Sequence, residues 1–362
     1  MKLNRDQLRD LAVGAAFLGT GGGGAPYVGR LMVERCLDEG LTVEVIDPAD
    51  LDDDATVIPT AMMGAPTVLV EKLPSGDEAI HSLKRLERHL GRTASATMPI
   101  EIGGINSTIP LVVGARLGLP IVDADGMGRA FPHLEMETFG VYGIAGSPLV
   151  VSNEYGDSAL IEAVDNRQME WLARAAAIRM GGCAYIAEYA MTGAEVKRTA
   201  IPHTLTLAIR IGAVMRQARE AHVNPIDALI AFLPTTLYKF GKVIFAGKIT
   251  DMRRETRAGF SMGRARIEGL APFSDIMDIE IQNECLIARV GGKVKAIVPD
   301  LISVLNTETA EPITTENMRY GQRVTVVSVS VPDLMRSPEA LAVFGPAAFG
   351  LTEPFTPIET IA

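Results

Sequence analysis

From about residue 242 the hydrophobic period of the chain changes, and that change limits what it can fold into. Before it, segments with apolar residues every three or four positions alternate with short apolar runs. After it, short runs rich in Val, Ile and Phe follow one another, punctuated by glycine and proline. Helix-period and strand-period segments in alternation predict an α/β layer, and the strand-only tail predicts a β-rich module. The expected fold class is therefore α/β: an N-terminal, mostly parallel sheet flanked by helices over 1–165, then a helical segment and a β-rich domain, sandwich or barrel, over 166–362.

In the first half the spacing predicts helices over 5–16, 26–39, 78–90 and 107–117, and strands over 41–46, 56–62, 97–102 and 120–122. Residues 157–179 read as one long helix and 202–221 as another. Strands are expected over 243–245, 260–268, 279–289, 294–298 and 323–331. No internal repeat or low-complexity linker separates the halves.

Composition removes several function classes. Hydrophobic residues make up 48% of the 362 and charged ones 22%, the profile of a packed globular chain. Asp plus Glu is 44 against 34 Lys plus Arg, a net charge of −10, which argues against nucleic acid and anionic membrane surfaces as partners. No apolar run approaches the roughly 18 residues that span a bilayer. The polar start, Met1 to Gln7, lacks the apolar core of a signal peptide. Cys36, Cys183 and Cys285, odd in number and far apart, argue against a disulfide framework and for a reducing cytoplasm. High apolar content over two domains predicts a homo-oligomer.

Gly19-Thr20-Gly21-Gly22-Gly23-Gly24 contains the pattern G-x-G-x-x-G ahead of a helix, with Glu44 and Asp47 where a ribose-binding acid would stand. Glycines let a backbone approach an anion, and a helix N-terminus adds N–H groups. The segment before the loop has helical spacing, whereas a dinucleotide site requires a strand there. Two other readings stand beside it: a tight turn between helices, or a pocket wall where Gly21, Gly22, Gly23 and Gly24 hold a substrate carbonyl. No nucleotide is expected.

Residues 101–154 carry the densest chemistry. Glu101 ends one expected strand and Asp123 and Asp125 end the next, with Asn106 and Ser107 at a helix start. Parallel sheets bind ligands beyond the carboxyl ends of their strands, so Glu101, Asn106, Asp123 and Asp125 are the expected catalytic set. A turn between Asp123 and Asp125 would split their directions. Gly103, Gly104 and Arg129 join the glycine loop as expected substrate-binding groups. His133, Glu135 and Glu137 follow, and His203 stands at a helix start. Asp125, His133 and His203 form a candidate set for zinc or another divalent ion, without the close ligand spacing that marks a metal motif. The competing reading makes the Asp residues caps and turn formers and the Glu residues solvated. Cys183, beside Gly181 and Gly182, reads as a nucleophile or as a small buried hydrophobe. Asn153 reads as a pocket group or part of a cap at Asp157 or Ser158.

Ordered motifs run along the chain. They are Gly247-Lys248-Ile249-Thr250-Asp251, then Ile281-Gln282-Asn283-Glu284-Cys285-Leu286-Ile287-Ala288-Arg289, then Pro299-Asp300-Leu301-Ile302. Arg319-Tyr320-Gly321-Gln322-Arg323-Val324 and Phe344-Gly345-Pro346-Ala347-Ala348-Phe349-Gly350 complete them. With the segments 19–24, 101–107 and 123–128, this order resembles the DUF917 family, which is associated with S-methyl-thiohydantoin desulfurase. The resemblance implies two domains and a reaction in which water attacks a five-membered ring carrying an S-methyl group and the thiol leaves. It also implies an association with hydantoinase/oxoprolinase-type enzymes, and it assigns no residue roles. The expected function is a hydrolase of a small cyclic amide or thiohydantoin-type ring. The competing expectations are a nucleotide-binding oxidoreductase using residues 19–24, and a non-catalytic partner subunit of a hydantoinase/oxoprolinase-type enzyme.

Overall fold

In the computed structural model, residues 1–65, 68, 72, 74–257 and 259–361 are described. Asn4 opens helix α1 (Arg5–Leu18) with a reciprocal cap: its side chain accepts from the Gln7 amide, and the Gln7 side chain accepts from the Asn4 amide. After the glycine loop, Pro26 occupies the first turn of α2 (Pro26–Asp38). Strands β1 (Val45–Ile46), β2 (Thr56–Val57) and β3 (Thr60–Gly64) lead to α3 (Glu78–Leu90) and α4 (Ile109–Leu117). Then come β4 (Ile121–Val122), β5 (Ala124–Asp125), β6 (Leu149–Ser152) and β7 (Ser158–Ile161), followed by α5 (Asn166–Arg179).

The mostly parallel sheet is not what forms. The largest N-terminal sheet has the order β3-β8-β6-β7, with β8 at Cys183–Ala187, and every pairing in it is antiparallel. Among the described residues, parallel pairing is confined to β1 with β4 and to single bridges, Val57 to Ala96 and Thr97 to Ile121. Prolines at 48, 59, 99 and 120 interrupt these stretches, and a proline cannot donate to a ladder. Residues 97–102 accordingly contribute bridges rather than a strand. The expected long helix over 157–179 is also divided. Its first part is strand β7, turned back on β6 by residues 153–157, and α5 begins only after Asp165, whose side chain accepts from the Gln168 amide.

Two short strands, β9 (Met191–Thr192) and β10 (Ile201–Pro202), follow β8, and beyond α6 (Thr204–Glu220) the β-rich region is one seven-stranded antiparallel sheet, curled into a half-barrel. Its strands are β11 (Gly241–Arg257), β12 (Phe260–Gly269), β13 (Ile276–Gln282), β14 (Glu284–Val290), β15 (Lys293–Ile297), β16 (Leu301–Asn306) and β17 (Arg323–Val329). The order is β15-β14-β13-β12-β11-β17-β16. The two edge strands, β15 and β16, pack against each other without pairing. Register shifts in the β11–β12, β11–β17, β13–β14 and β14–β15 pairings supply the bending. The expected strand over 279–289 is two strands, because Asn283 takes a left-handed φ of 56° between them. In β12, Ala265 and Ile267 are buried while Arg264 and Arg266 face solvent, the alternation of a sheet wet on one side.

One apolar core crosses both halves. It runs from Leu8, Leu11 and Phe17 of α1 through Leu205 and Ile211 of α6 to Leu286, Leu301, Val327 and Val329 of the sheet. The helices α1 and α6 cross closely enough that a Cβ on Gly14 would lie 1.9 Å from the Ala208 carbonyl oxygen. Among the described residues, no helix is long and apolar enough to cross a membrane.

Candidate active site

Residues 97–100 deliver Glu101 to the place where the N-terminal layers meet strand β14 of the half-barrel. A cavity of about 40 Å³ lies there, lined by Gly23, Glu101, Asn106, His133, Arg174 and Glu284 together with apolar side chains. That volume holds about three waters, and Met62, Met63 and His133 are among its walls.

Asn106 fixes Glu101. The Asn106 side chain lies in a 3-10 turn (Gly104–Ser107), where its Oδ1 accepts from the Met62 amide at 2.8 Å and its Nδ2 donates to the Met62 carbonyl at 2.9 Å. The same Nδ2 donates to Glu101 Oε1 at 2.8 Å, and the Phe131 amide donates to Oε2 at 3.3 Å. Glu101 is only 5% exposed, and burial pushes its carboxyl up to about 8 against the pull of those two donors. The Asp125 charge raises it further and Arg129 lowers it.

Glu284 comes from the opposite direction, at the start of β14. It is buried beside Arg129, Glu316 and Glu101, and burial drives its carboxyl well above the usual range. Its Oε1 lies where a Cβ on Gly22 would be, 2.0 Å away, so the glycine loop must be bare there. The loop follows helix α1 rather than a strand, and its carbonyls accept from Cys285 at Thr20, from Thr315 at Gly21 and from Ile105 at Gly23. It therefore ties both halves together, with a carboxyl group on the face a phosphate would need. Gly103 and Gly104 pack directly on the loop, and Gly23 reaches the cavity wall.

The structure separates Asp123 from Asp125. Asp123 caps α6: its Oδ1 accepts from the Thr206 amide at 3.0 Å and its Oδ2 from the Thr206 hydroxyl. Asp125 is fully buried, and its Oδ2 accepts from the amides of Ile102, Met127 and Gly128, which holds the loop behind Glu101. Burial pushes Asp125 up to about 7 despite those donors. Arg129 is also fully buried, with its donors directed at Ala130 O, Pro299 O, Asp300 O, Thr20 Oγ1 and Cys285 O. A guanidinium has five N–H groups, so this residue pins the loop to the half-barrel and keeps none for a substrate.

His133 lines the cavity. Its Nδ1 stands 3.7 Å from Glu170 and 3.9 Å from Glu135, and its Nε2 stands 3.3 Å from Gln282 Nε2. His203 is elsewhere, half exposed at the head of α6, with Nδ1 3.8 Å from both Asp47 and Asp123. Asp125, His133 and His203 do not converge, and among the described residues no three His, Cys, Asp or Glu side chains form a metal-holding group. Asp125, His133 and His203 therefore do not fit zinc or another divalent ion.

Arg174, Glu170 and Glu188 escaped the sequence reading. Arg174 Nε donates to Glu170 Oε1 at 2.6 Å. Although burial pushes Glu170 up, Arg174 and His133 hold it below the usual carboxylate range. Their Glu-x-x-x-Arg spacing on α5 was the available signal. Glu284 stood inside a family motif, an acid within an apolar strand, and that interruption was its signal. Glu188 had none beyond following the buried strand β8. Cys183 borders a separate cavity of about 670 Å³, and burial pushes its thiol up to about 12, which keeps it protonated.

Two family models together match nearly the whole chain: "S-Me-THD-like, N-terminal domain" over residues 6–163 and "S-Me-THD-like, C-terminal domain" over residues 164–358. A solved structure of a protein from Chromobacterium violaceum is similar, with 23% identity and a TM-score of 0.82 over 99% of this chain and 100% of that one. At that identity the likeness is one of fold. No curated protein matches.

Proposed function

The chain belongs to the S-Me-THD-like family, and from that premise we propose that it hydrolyses an S-methyl-thiohydantoin-type ring, releasing a thiol, with Glu101 as general base and Glu284 as general acid. The observation that supports this reading is that two buried carboxyls, one from each half of the chain, line one cavity and carry different environments. Two N–H donors favour the ionised form of Glu101, whereas Glu284 Oε2 has no partner and suits a proton.

The chemistry balances on these two groups. Glu101 takes a proton from water as its oxygen bonds to the ring carbon bearing sulfur, and Glu284 donates its proton to the adjacent ring nitrogen. In the second stage the carbon–sulfur bond breaks, Glu101 returns its proton to sulfur, and the Glu284 carboxylate takes the hydroxyl proton as the ring carbonyl forms. Both carboxyls end as they began, and the products are a ring N–H, a ring carbonyl and a thiol. Positioned acid–base catalysis of this kind contributes about 10²- to 10⁴-fold.

Thiol release from S-methyl-thiohydantoin by the purified protein tests the assignment. Glu101→Gln is expected to lose about 100-fold or more, and the wild-type rate is expected to rise with pH and level off above about 8, where Glu101 is ionised. A Glu101→Gln variant as fast as wild type would sink the assignment.

A further inference from the structure

Two consecutive residues where β13 turns into β14 line the catalytic cavity, Asn283 and Glu284, and the mechanism uses only the second. Neighbouring residues of a strand face opposite ways. The left-handed φ of 56° at Asn283 breaks that alternation. Asn tolerates this backbone region better than most residues, and its hydrogen bonds hold it there. Its amide donates to the Ser261 carbonyl at 2.8 Å, and its carbonyl accepts from the Thr315 hydroxyl at 2.8 Å. Its side-chain Oδ1 accepts from the Ser261 amide at 2.8 Å. That last bond fixes which end of the carboxamide is oxygen, because a backbone amide only donates.

The Nδ2 end is left over. It donates to no group among the described residues, although Asn283 is only 7% exposed. Other polar side chains of the cavity are engaged more fully. Asn106 gives its Nδ2 hydrogens to the Met62 carbonyl and Glu101, and its Oδ1 accepts from the Met62 amide. His133 has Glu170 and Glu135 on its Nδ1 side and Gln282 at Nε2. Arg174 donates to Glu170 and to the Pro132 carbonyl, which leaves only its Nη1. An Asp at 283 would serve the Ser261 amide equally well and tolerates the same φ. The fold therefore uses the acceptor of Asn283 and leaves its two donors without a structural task.

We propose that Asn283 recognises a substrate ring carbonyl through Nδ2, the carbonyl bonded to the nitrogen that Glu284 protonates. The inference rests on the reading of Glu284 as the acid. In a thiohydantoin-type ring one nitrogen joins the sulfur-bearing carbon to a carbonyl carbon, so adjacent residues of the chain read adjacent groups of the ring. The substrate class is thereby narrowed to rings that carry this carbonyl. A few placed polar groups fix orientation and specificity in such pockets, and an analogue that leaves a buried donor unpaired is penalised.

NMR titrations of the full chain with hydantoin and with 2-imidazolidinone, the same ring without that carbonyl, test the proposal without turnover. The wild type is expected to bind hydantoin about tenfold more tightly. Asn283→Asp keeps the acceptor for Ser261 and removes both donors, whereas Asn283→Gly removes the whole carboxamide. Both are expected to bring the preference down to about twofold or less, and either variant decides the matter if the other fails to fold. A purely structural role would lower the stability of Asn283→Gly in urea and leave the preference intact. No preference in the wild type, no binding of either ring, or a preference kept in the variants, which would assign the carbonyl to Arg174 Nη1, would each overturn the proposal. Absence of thiol release with the preferences as expected would remove the desulfurisation reading alone. Thiol release with the preference kept in the variants would remove the role of Asn283 alone.

Discussion

Glycine decides where backbones meet at the residue scale. Gly104 has a φ of +70°, and a Cβ there would lie 2.0 Å from the Gly23 carbonyl oxygen. Gly40 has a similar φ of +80° with nothing within 4 Å. The pair separates conformational strain from steric collision. Gly40→Ala is expected to cost about 1 kcal/mol, and Gly104→Ala about 2 kcal/mol or more because the loop must also shift. Urea unfolding followed by circular dichroism measures both, and equal losses would show that the Gly23–Gly104 contact carries no energy. At this scale the sequence named Glu101, Asn106, Gly23 and His133, which the structure does bring to one cavity. It also named Asp123 and Asp125, whose two-residue spacing shows only that they are near. Their separate partners, the head of α6 and the loop behind Glu101, follow from a turn of direction that spacing leaves open.

Among the elements, the β11–β12 hairpin brings the half-barrel onto the cavity mouth. Phe260, the first residue of β12, packs on His133 with ring centroids 4.6 Å apart, and the Arg174 guanidinium lies 4.6 Å over its ring. Both partners line the cavity. Ring stacking and cation–π contacts of this kind contribute about 1 kcal/mol. Phe260→Ala is therefore expected to raise KM for a thiohydantoin substrate roughly fivefold, with kcat changed by less than about twofold. Kinetics with the fall mainly in kcat would place Phe260 in the chemical step instead. Helix boundaries such as 78–90 were legible because an amphipathic stripe and a glycine stop mark them locally. The N-terminal sheet was misread because strand order is not local: short apolar runs look alike whether their partners run parallel or antiparallel. The prolines that divide those runs were visible, and they were the available sign that no long ladder forms there.

Taken as a whole, the molecule stores acids in its interior, and its stability should answer to pH in an unusual direction. Burial raises Glu101 from 4.5 to about 8 and Asp125 from 3.8 to about 7. Between about pH 4 and pH 8 the folded chain therefore binds more protons at these sites than the unfolded chain does. The contribution is complete below about pH 4 and is lost as pH rises to about 8, at up to about 1.4 kcal/mol per pH unit for each group. The more exposed carboxyls that arginines hold low, such as Glu353 beside Arg289 and Asp278 beside Arg264 and Arg266, act only at lower pH. The melting temperature is expected to fall between pH 5 and pH 8.5, and Glu101→Gln is expected to flatten that fall. A melting temperature that climbs over this range would mean these acids are ionised in the folded protein.

The sequence by itself determined the order of helix-period and strand-period segments, the bare glycine loop and the ordered motifs that carry the family likeness, because each is written in neighbouring residues. Only the tertiary structure decided that Glu284 joins Glu101 at one cavity, that every Arg129 donor is used inside, and that the Glu137 and Glu188 carboxyls are buried without a donor among the described residues. Those outcomes depend on which groups lose their water, and that is fixed by packing between segments far apart in the chain.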